Sequence, residues 1–387
     1  MTVRRIILIL LWILSLVGIS FYGGPISYGF FAAVTFAPAV SLLYTLFVLF
    51  RFKIYQELST KNVTAGSVSG FYITLQNEDI LAHSGIKVNF YSPFSSISGM
   101  DESAEYELAP HSGIRKETSL LCRYRGEYEV GVKSIVIRDY LKIFRITFKN
   151  REPFRLRVMP AIIRPDVLKT IDLEDTTSVE SRAHATETDV VVRNYIPGDE
   201  VRKIHWKASA SRGKLLVRNT YGEEKQGIGI IMDSERYSLK PEEYLPLENK
   251  ISETVIALSV YFQSSNTPVN VYSYNDKVSD HFINDPGSFR QFYSYISVLR
   301  FDGDSRISKL LLHLEESRNI YSHRMVIMVL HSINGEVMTF VSRLLQNDIS
   351  PVIYLVTDDQ EEIRRSKSLF AGYLFVIPTE ADLKEVL

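Results

Sequence analysis

Apolar positions come in three different rhythms along the chain. Between Arg5 and Arg51 no side chain is charged, and two apolar runs, Ile6 to Tyr22 and Ser27 to Phe50, are separated by Gly23-Gly24-Pro25. Each run is long enough to cross a hydrocarbon core, which takes about 20 helical residues. This predicts a transmembrane helical hairpin, residues 1–54. A cleaved signal peptide explains Arg4-Arg5 and the first run, but it leaves the second run as an anchor. Arg4 and Arg5 precede the hairpin and Arg51 and Lys53 follow it, while the connecting loop has no cation. The positive-inside rule then puts both ends, and everything beyond them, in the cytoplasm of a cell-membrane protein with two helices.

Residues 55–165 change to a period of two. Phe71 to Leu75, Ile86 to Tyr91, Lys116 to Tyr124, Tyr128 to Ile137 and Leu141 to Phe148 are rich in β-branched and aromatic residues, and several alternate apolar with polar. Turn signals separate them at Asn77-Glu78-Asp79, Ser92-Pro93, Pro110 to Gly113 and Arg125-Gly126. Short strands at this spacing predict an antiparallel, immunoglobulin-like β-sandwich.

From residue 224 to 387 the pattern alternates again, now between continuous apolar strands and helices. The predicted strands are Gly227 to Asp233, Val269 to Tyr274, Met325 to Leu330, Val352 to Val356 and Tyr373 to Ile377. The predicted helices are Leu247 to Phe262, Ser288 to Leu299, Ser305 to Glu316 and Gly335 to Leu345, with a further one at the terminus. Continuous apolar strands joined by helices imply a doubly wound α/β domain on a parallel sheet. Ligands of such sheets bind at the strand C-termini. Asp233 stands at one such end, and Asp358-Asp359 follows another and is expected to cap the next helix.

Charge adds little globally. The 44 basic and 45 acidic side chains balance, so no polyanion partner is implied. The single cysteine, Cys122, permits no internal disulfide and reads as a packed strand residue. Locally, residues 166–223 are polarised. An acidic arm from Asp166 to Asp189 runs into a basic stretch from Arg193 to Arg218, in which seven cations face Asp199 and Glu200. The arm either folds onto the basic turn or faces a partner. Nucleic acid fits poorly, because only Tyr195 and Trp206 offer stacking surfaces and the acids repel phosphate.

That basic stretch is the least generic piece of the chain. Pro197-Gly198 turns the backbone, Asp199 stands as an N-cap, and Val201, Ile204 and Ala208 share one helical side. Arg193, Tyr195, Gly198, Asp199, Ile204, Trp206, Lys207, Ser209, Ala210 and Gly213 together resemble the signature of the domain of unknown function 58 family. Gly126 to Gly131 followed by Ile135 to Asp139 also resembles that family. There, however, an Asp-Pro-Phe-Gly-Leu turn follows, and here Tyr140 and Lys142 replace the proline and the glycine. The resemblance implies a membrane-anchored protein with a β domain and a von Willebrand factor A-like domain, often accompanying a MoxR-type AAA+ ATPase. The expected role is a non-enzymatic interaction or scaffold protein. The signature turn is expected to lock the connection between domains, with Trp206 buried and its cations salt-bridged.

The von Willebrand A resemblance also implies a divalent cation held by an Asp-x-Ser-x-Ser strand end and a second aspartate. Here Asp233 is present, but Glu235 and Tyr237 replace the serines and His331-Ser332 follows the later strand. The metal site thus reads as degenerate, with no cofactor expected. The alternatives are a metal-dependent hydrolase using Asp233 and Glu235, and an extracytoplasmic adhesion module on the opposite topology. No phosphate loop, zincin motif, Cys-x-x-Cys or nucleophile elbow is present. His331-Ser332 reads as a loop pair, since the sequence places no third group beside it. His205 is expected beside Trp206.

Overall fold

The computed structural model describes residues 2–60, 62–150, 152–168, 192–194, 206, 209–210, 213–218, 227–301, 306–370 and 372–387. The chain forms two compact units, Met1–Ala161 and Ile162–Leu387.

The first unit begins with two helices, α1 (Thr2–Tyr22) and α2 (Gly24–Arg51), that are long and apolar enough to cross a membrane. Gly23 and Gly24 both hold positive φ, which lets the chain reverse between them. Trp12 Nε1 donates to Thr35 Oγ1 at 3.1 Å across the hairpin. Most of the two helices' apolar side chains are exposed. The last turns of α2 differ, since Thr45 and Val48 are buried against the strands that follow.

Those strands are β1 (Lys53–Leu58), β2 (Val63–Thr64), β3 (Val68–Asn77), β4 (His83–Phe90), β5 (Ser95–Ser98), β6 (Tyr106–Leu108), β7 (Ser112–Cys122), β8 (Gly126–Val130), β9 (Val132–Arg138), β10 (Arg145–Lys149) and β11 (Phe154–Met159). They form sheets ordered β1-β3-β7-β5, β10-β9-β4-β6 and β2-β11-β8. Alternation drives this: β3 buries every second residue, placing Phe71, Ile73 and Leu75 in a core shared with Ile86, Val88, Ile135 and Ile137 of the second sheet. Cys122 is buried at the end of β7.

The run from Tyr128 to Ile137, expected as one strand, is two. Gly131, at φ +80°, breaks it, so β8 joins the third sheet and β9 the second. A side chain there would meet Gln56 Oε1 at 2.2 Å, the same oxygen that accepts from Val132 N. The expected strand from Leu141 likewise starts only at Arg145, because residues 139–144 turn.

In the second unit a short pair, β12 (Val192–Asn194) with β13 (Leu216–Arg218), precedes a six-stranded sheet. Its strands are β14 (Ile228–Met232), β15 (Val269–Asn275), β16 (Lys277–Ile283), β17 (Met325–Leu330), β18 (Ser350–Val356) and β19 (Leu374–Ile377), in spatial order β16-β15-β14-β17-β18-β19. All neighbours are parallel except β16, an antiparallel edge strand that the sequence pattern did not mark.

The helices are α3 (Pro241–Ser264), α4 (Pro286–Val298), α5 (Arg306–Ser317), α6 (Gly335–Gln346), α7 (Gln360–Leu369) and α8 (Leu383–Val386). Both sheet faces are covered. Met325, Ile327 and Val329 point into one core with Ile251 and Val255 of α3, and Val326, Met328 and Leu330 into another with Leu310 of α5 and Phe340 of α6. Strand order reverses between β14 and β17, where an open α/β sheet leaves a crevice at its C-terminal edge.

Candidate functional site

Two strand ends meet at that reversal. Asp233 follows β14, His331 follows β17, and the strands pair from Ile228–Met325 to Met232–Val329. Register therefore brings together two residues that the sequence separates by 98 positions. His331 Nδ1 lies 2.5 Å from Asp233 Oδ2, and the His331 backbone N donates to the same oxygen at 3.3 Å. Asp233 Oδ1 accepts from Glu235 N at 3.0 Å. The carboxylate is almost wholly buried, and the imidazole is 14% exposed.

Around the pair, Tyr237 stacks on the His331 ring with centroids 5.5 Å apart. Ser332 Oγ lies 3.3 Å from His331 Nε2, and Ile333 N donates to Glu362 Oε1 at 3.0 Å. Arg236 is fixed nearby by Glu248 at 2.7 Å and by the Tyr244 ring. Burial is the largest single influence and disfavours a charged His331, but Asp233, Glu235 and Glu362 together, Asp233 foremost, outweigh it and raise the ring's pKa above its ordinary 6.5. Asp359 caps α7 by accepting from Glu361 N at 2.9 Å. Asp358 instead accepts from Thr379 N at 3.0 Å.

These contacts bear on the metal question. A divalent cation needs oxygen lone pairs left open to it. Both Asp233 oxygens are already accepting, and one faces an imidazole that the acids around it keep prone to protonation. Among the described residues no group of three or more His, Cys, Asp or Glu side chains is placed to hold a metal ion. Asp233 therefore offers a cation a carboxylate that is already hydrogen-bonded at both oxygens, with no ligand group of three around it among the described residues. Asp233 is instead a salt-bridge acid at the sheet edge, and His331-Ser332 is no isolated loop pair, since Asp233 is the third group beside it. The available clue was that both residues end strands; their adjacency depends on strand order.

The signature residues lie elsewhere in the unit. Arg193 is the central residue of β12, opposite Val217 of β13. Ser209 is buried. Its hydroxyl accepts from Leu216 N at 2.8 Å and lies 3.3 Å from Leu216 O, pinning a helical turn to β13. Gly213, at φ +62°, makes the turn between them. Trp206 is helical but 63% exposed, so the expectation that it is buried is corrected. The helical turn is held by the small Ser209 and not by the indole. Tyr195, Gly198, Asp199, Ile204, His205 and Lys207 lie outside the described residues, as does most of the acidic arm.

The fold and this edge define a doubly wound α/β unit behind two apolar helices and a β-rich unit. The model of the family described as "Protein of unknown function DUF58" matches residues 191–347, from β12 to just past α6, including Asp233 and His331. That match supports the DUF58 family. No curated protein matches the chain significantly. Among solved structures, the GH20 exo-β-N-acetylglucosaminidase from Vibrio harveyi in complex with N-acetylglucosamine aligns with 83% of this chain at 8% identity and a TM-score of 0.16. The chain spans 59% of that protein's length, and a superposition this loose carries no argument.

Proposed function

We propose that the protein is a membrane-anchored, non-enzymatic interaction platform. On this reading the hairpin spans the cell membrane with both units on the cytoplasmic side. The immunoglobulin-like β unit serves as spacer. The von Willebrand A-like unit binds protein at the C-terminal edge of its sheet, and by family resemblance the partner is a MoxR-type AAA+ ATPase serving complex assembly. The observation that carries the reading is the Asp233–His331 contact. It fills the centre of the edge with a protein-made ion pair, so recognition there needs no bridging cation. Copurification from detergent tests it. The wild-type chain is expected to retain an AAA+ ATPase in the presence of a chelator. Retention that requires magnesium or calcium refutes the cation-free edge, and a C-terminal reporter active only outside the cell refutes the topology.

A second reading has one specific observation behind it: Asp233, His331 and Ser332 touch in the order carboxylate, imidazole, hydroxyl. That order suits acyl transfer, in which the imidazole takes the serine proton. The nearby Ile333 N–H, a natural donor to a developing oxyanion, is already taken by Glu362. A fluorophosphonate probe separates the readings. Labelling of wild type that Ser332→Ala abolishes makes the site an enzyme, and no labelling leaves the platform.

A further inference from the structure

One of the places where the hairpin meets the β unit is a loop with a left-handed residue in it. Residues 139–144 connect β9 to β10. Arg4 donates to Leu141 O at 3.4 Å and Arg5 to Ile143 O at 3.1 Å, so the start of α1 lies against the loop. On the other side Ser41 of α2 donates to the buried Asp139, whose second oxygen accepts from Phe144 N at 2.7 Å. The loop thus lies level with the start of α1 and with Ser41, ten residues before the end of α2.

Lengths agree with that level. The apolar part of α1, Ile6 to Tyr22, extends about 26 Å at 1.5 Å per residue, close to a hydrocarbon core of about 30 Å. α2 has 28 residues, about 42 Å, so its last turns reach past the core. These turns are the ones packed on the β unit: Val48 is buried, Tyr44 donates to Ala82 O at 2.7 Å, and Arg51 pairs with Asp79 at 2.8 Å.

What the loop shows at this level has two parts. Tyr140 and Leu141 are 58% and 46% exposed, an aromatic and an aliphatic side chain of the kind found at membrane interfaces. Between them and the buried Ile143, Lys142 adopts a left-handed backbone at φ +54°. Glycine occupies that region without steric cost and lysine does not, so Lys142 sits there at a local cost. Lys142 and Arg138 share one carboxylate, Glu105, while among the described residues Arg4 and Arg5 donate to backbone carbonyls of the loop.

We propose that this loop is a lipid-headgroup site: Tyr140 and Leu141 enter the interface, and Lys142, Arg4 and Arg5 together hold the phosphate of an anionic phospholipid. The inference rests on the hairpin spanning the membrane. It makes the β unit a part seated on the bilayer surface in a fixed orientation, and it makes lipid composition a determinant of how firmly it sits.

The test uses the full chain reconstituted in vesicles of phosphatidylcholine with or without phosphatidylglycerol. Cys122 is buried, so single cysteines at Ile13→Cys and Leu141→Cys take a fluorophore selectively, and doxyl lipids report depth by quenching. The expected result is quenching of the Ile13→Cys label by deep doxyl groups and of the Leu141→Cys label by shallow ones. No quenching at Ile13→Cys overturns the spanning reading and this site with it. Quenching there but none at Leu141→Cys overturns the site alone. The second arm is Lys142→Gly, which suits the backbone and keeps the fold. Its preference for phosphatidylglycerol over phosphatidylcholine, read by native mass spectrometry of retained lipid, is expected to fall about fivefold. A preference equal to wild type overturns the role of Lys142.

Discussion

Replacing Asp233 by Asn isolates the ion pair at the sheet edge with almost no change in shape. In the wild type the imidazolium form of His331 is favoured because Asp233 accepts from it at 2.5 Å, despite burial of the ring. Hydrogen bonds to charged groups contribute about 1.5–3 kcal/mol. For a unit of this size that corresponds to a melting shift of roughly 3–12 °C. The sign with pH follows from the direction of the His331 shift. A folded pKa above the ordinary 6.5 makes the contribution complete below pH 6.5 and removes it as pH rises through the folded value. In Asp233→Asn the largest favourable charge is gone and burial remains, so protonating the ring on acidification now opposes folding. The melting gap between wild type and variant should be widest near pH 5.5 and shrink toward pH 9. Scanning calorimetry of the detergent-solubilised chain across that range reads it directly. A gap that is constant with pH, or widest on the alkaline side, would show that His331 carries no charge linked to Asp233.

Divalent cations at millimolar concentration are expected to leave the wild-type melt unmoved, since stabilisation by ligand requires an open site; a rise of several degrees with magnesium or manganese refutes the occupied-carboxylate argument. Trp206→Ala should change the melting temperature little, within about 0.5 kcal/mol of wild type, as befits an exposed side chain. Loss of a copurifying partner at that unchanged melt places the indole in an interface, and a fall of several degrees means it is buried after all. Gly131→Ala should cost about 2–3 kcal/mol, from a side chain forced to positive φ and from displacing Gln56 Oε1 off Val132 N, measured as a lower denaturant midpoint for the β unit. Phe71→Ala, at a fully buried ring packed edge-on to Phe154 at 5.9 Å, should cost about 3–5 kcal/mol in the same assay, and a neutral result there contradicts a shared sandwich core.

The elements that the sequence marked best are those whose burial is uniform along their length. Met325–Leu330 is buried at every position and was legible to the residue, and the helices Pro286–Val298 and Gly335–Gln346 differ from expectation by a residue or two at their ends. Strands with one wet face were harder. β16 carries Lys277, Ser279, Asp280 and His281 on a sheet edge, so its composition is that of a loop and only its ladder with β15 makes it a strand. β1 follows α2 after one residue, and its polar alternation reads as the tail of the hairpin. At Gly131 the apolar rhythm continues from β8 into β9, and what divides them is a backbone angle that hydropathy does not record.

The candidate site was half legible for a related reason. Asp233 stands out because an acid ends an apolar strand, and the departures at Glu235 and Tyr237 showed that an oxygen-ligand set was incomplete. His331 gave no such signal, because its meaning depends on β17 lying beside β14 and not beside β15 or β16. Once that order is known, the histidine is seen to bring its imidazole to Asp233 from within the chain. That contact has a consequence for the proposed recognition edge. A metal bridge gains or loses affinity with ion concentration, whereas an imidazole bridge responds to protons between its ordinary pKa and its raised one. On the proposed platform, partner binding at this edge should therefore follow pH through His331, and titrating binding in wild type against His331→Gln, with a pH-independent wild type as the contrary result, decides whether the imidazole is what the edge senses with.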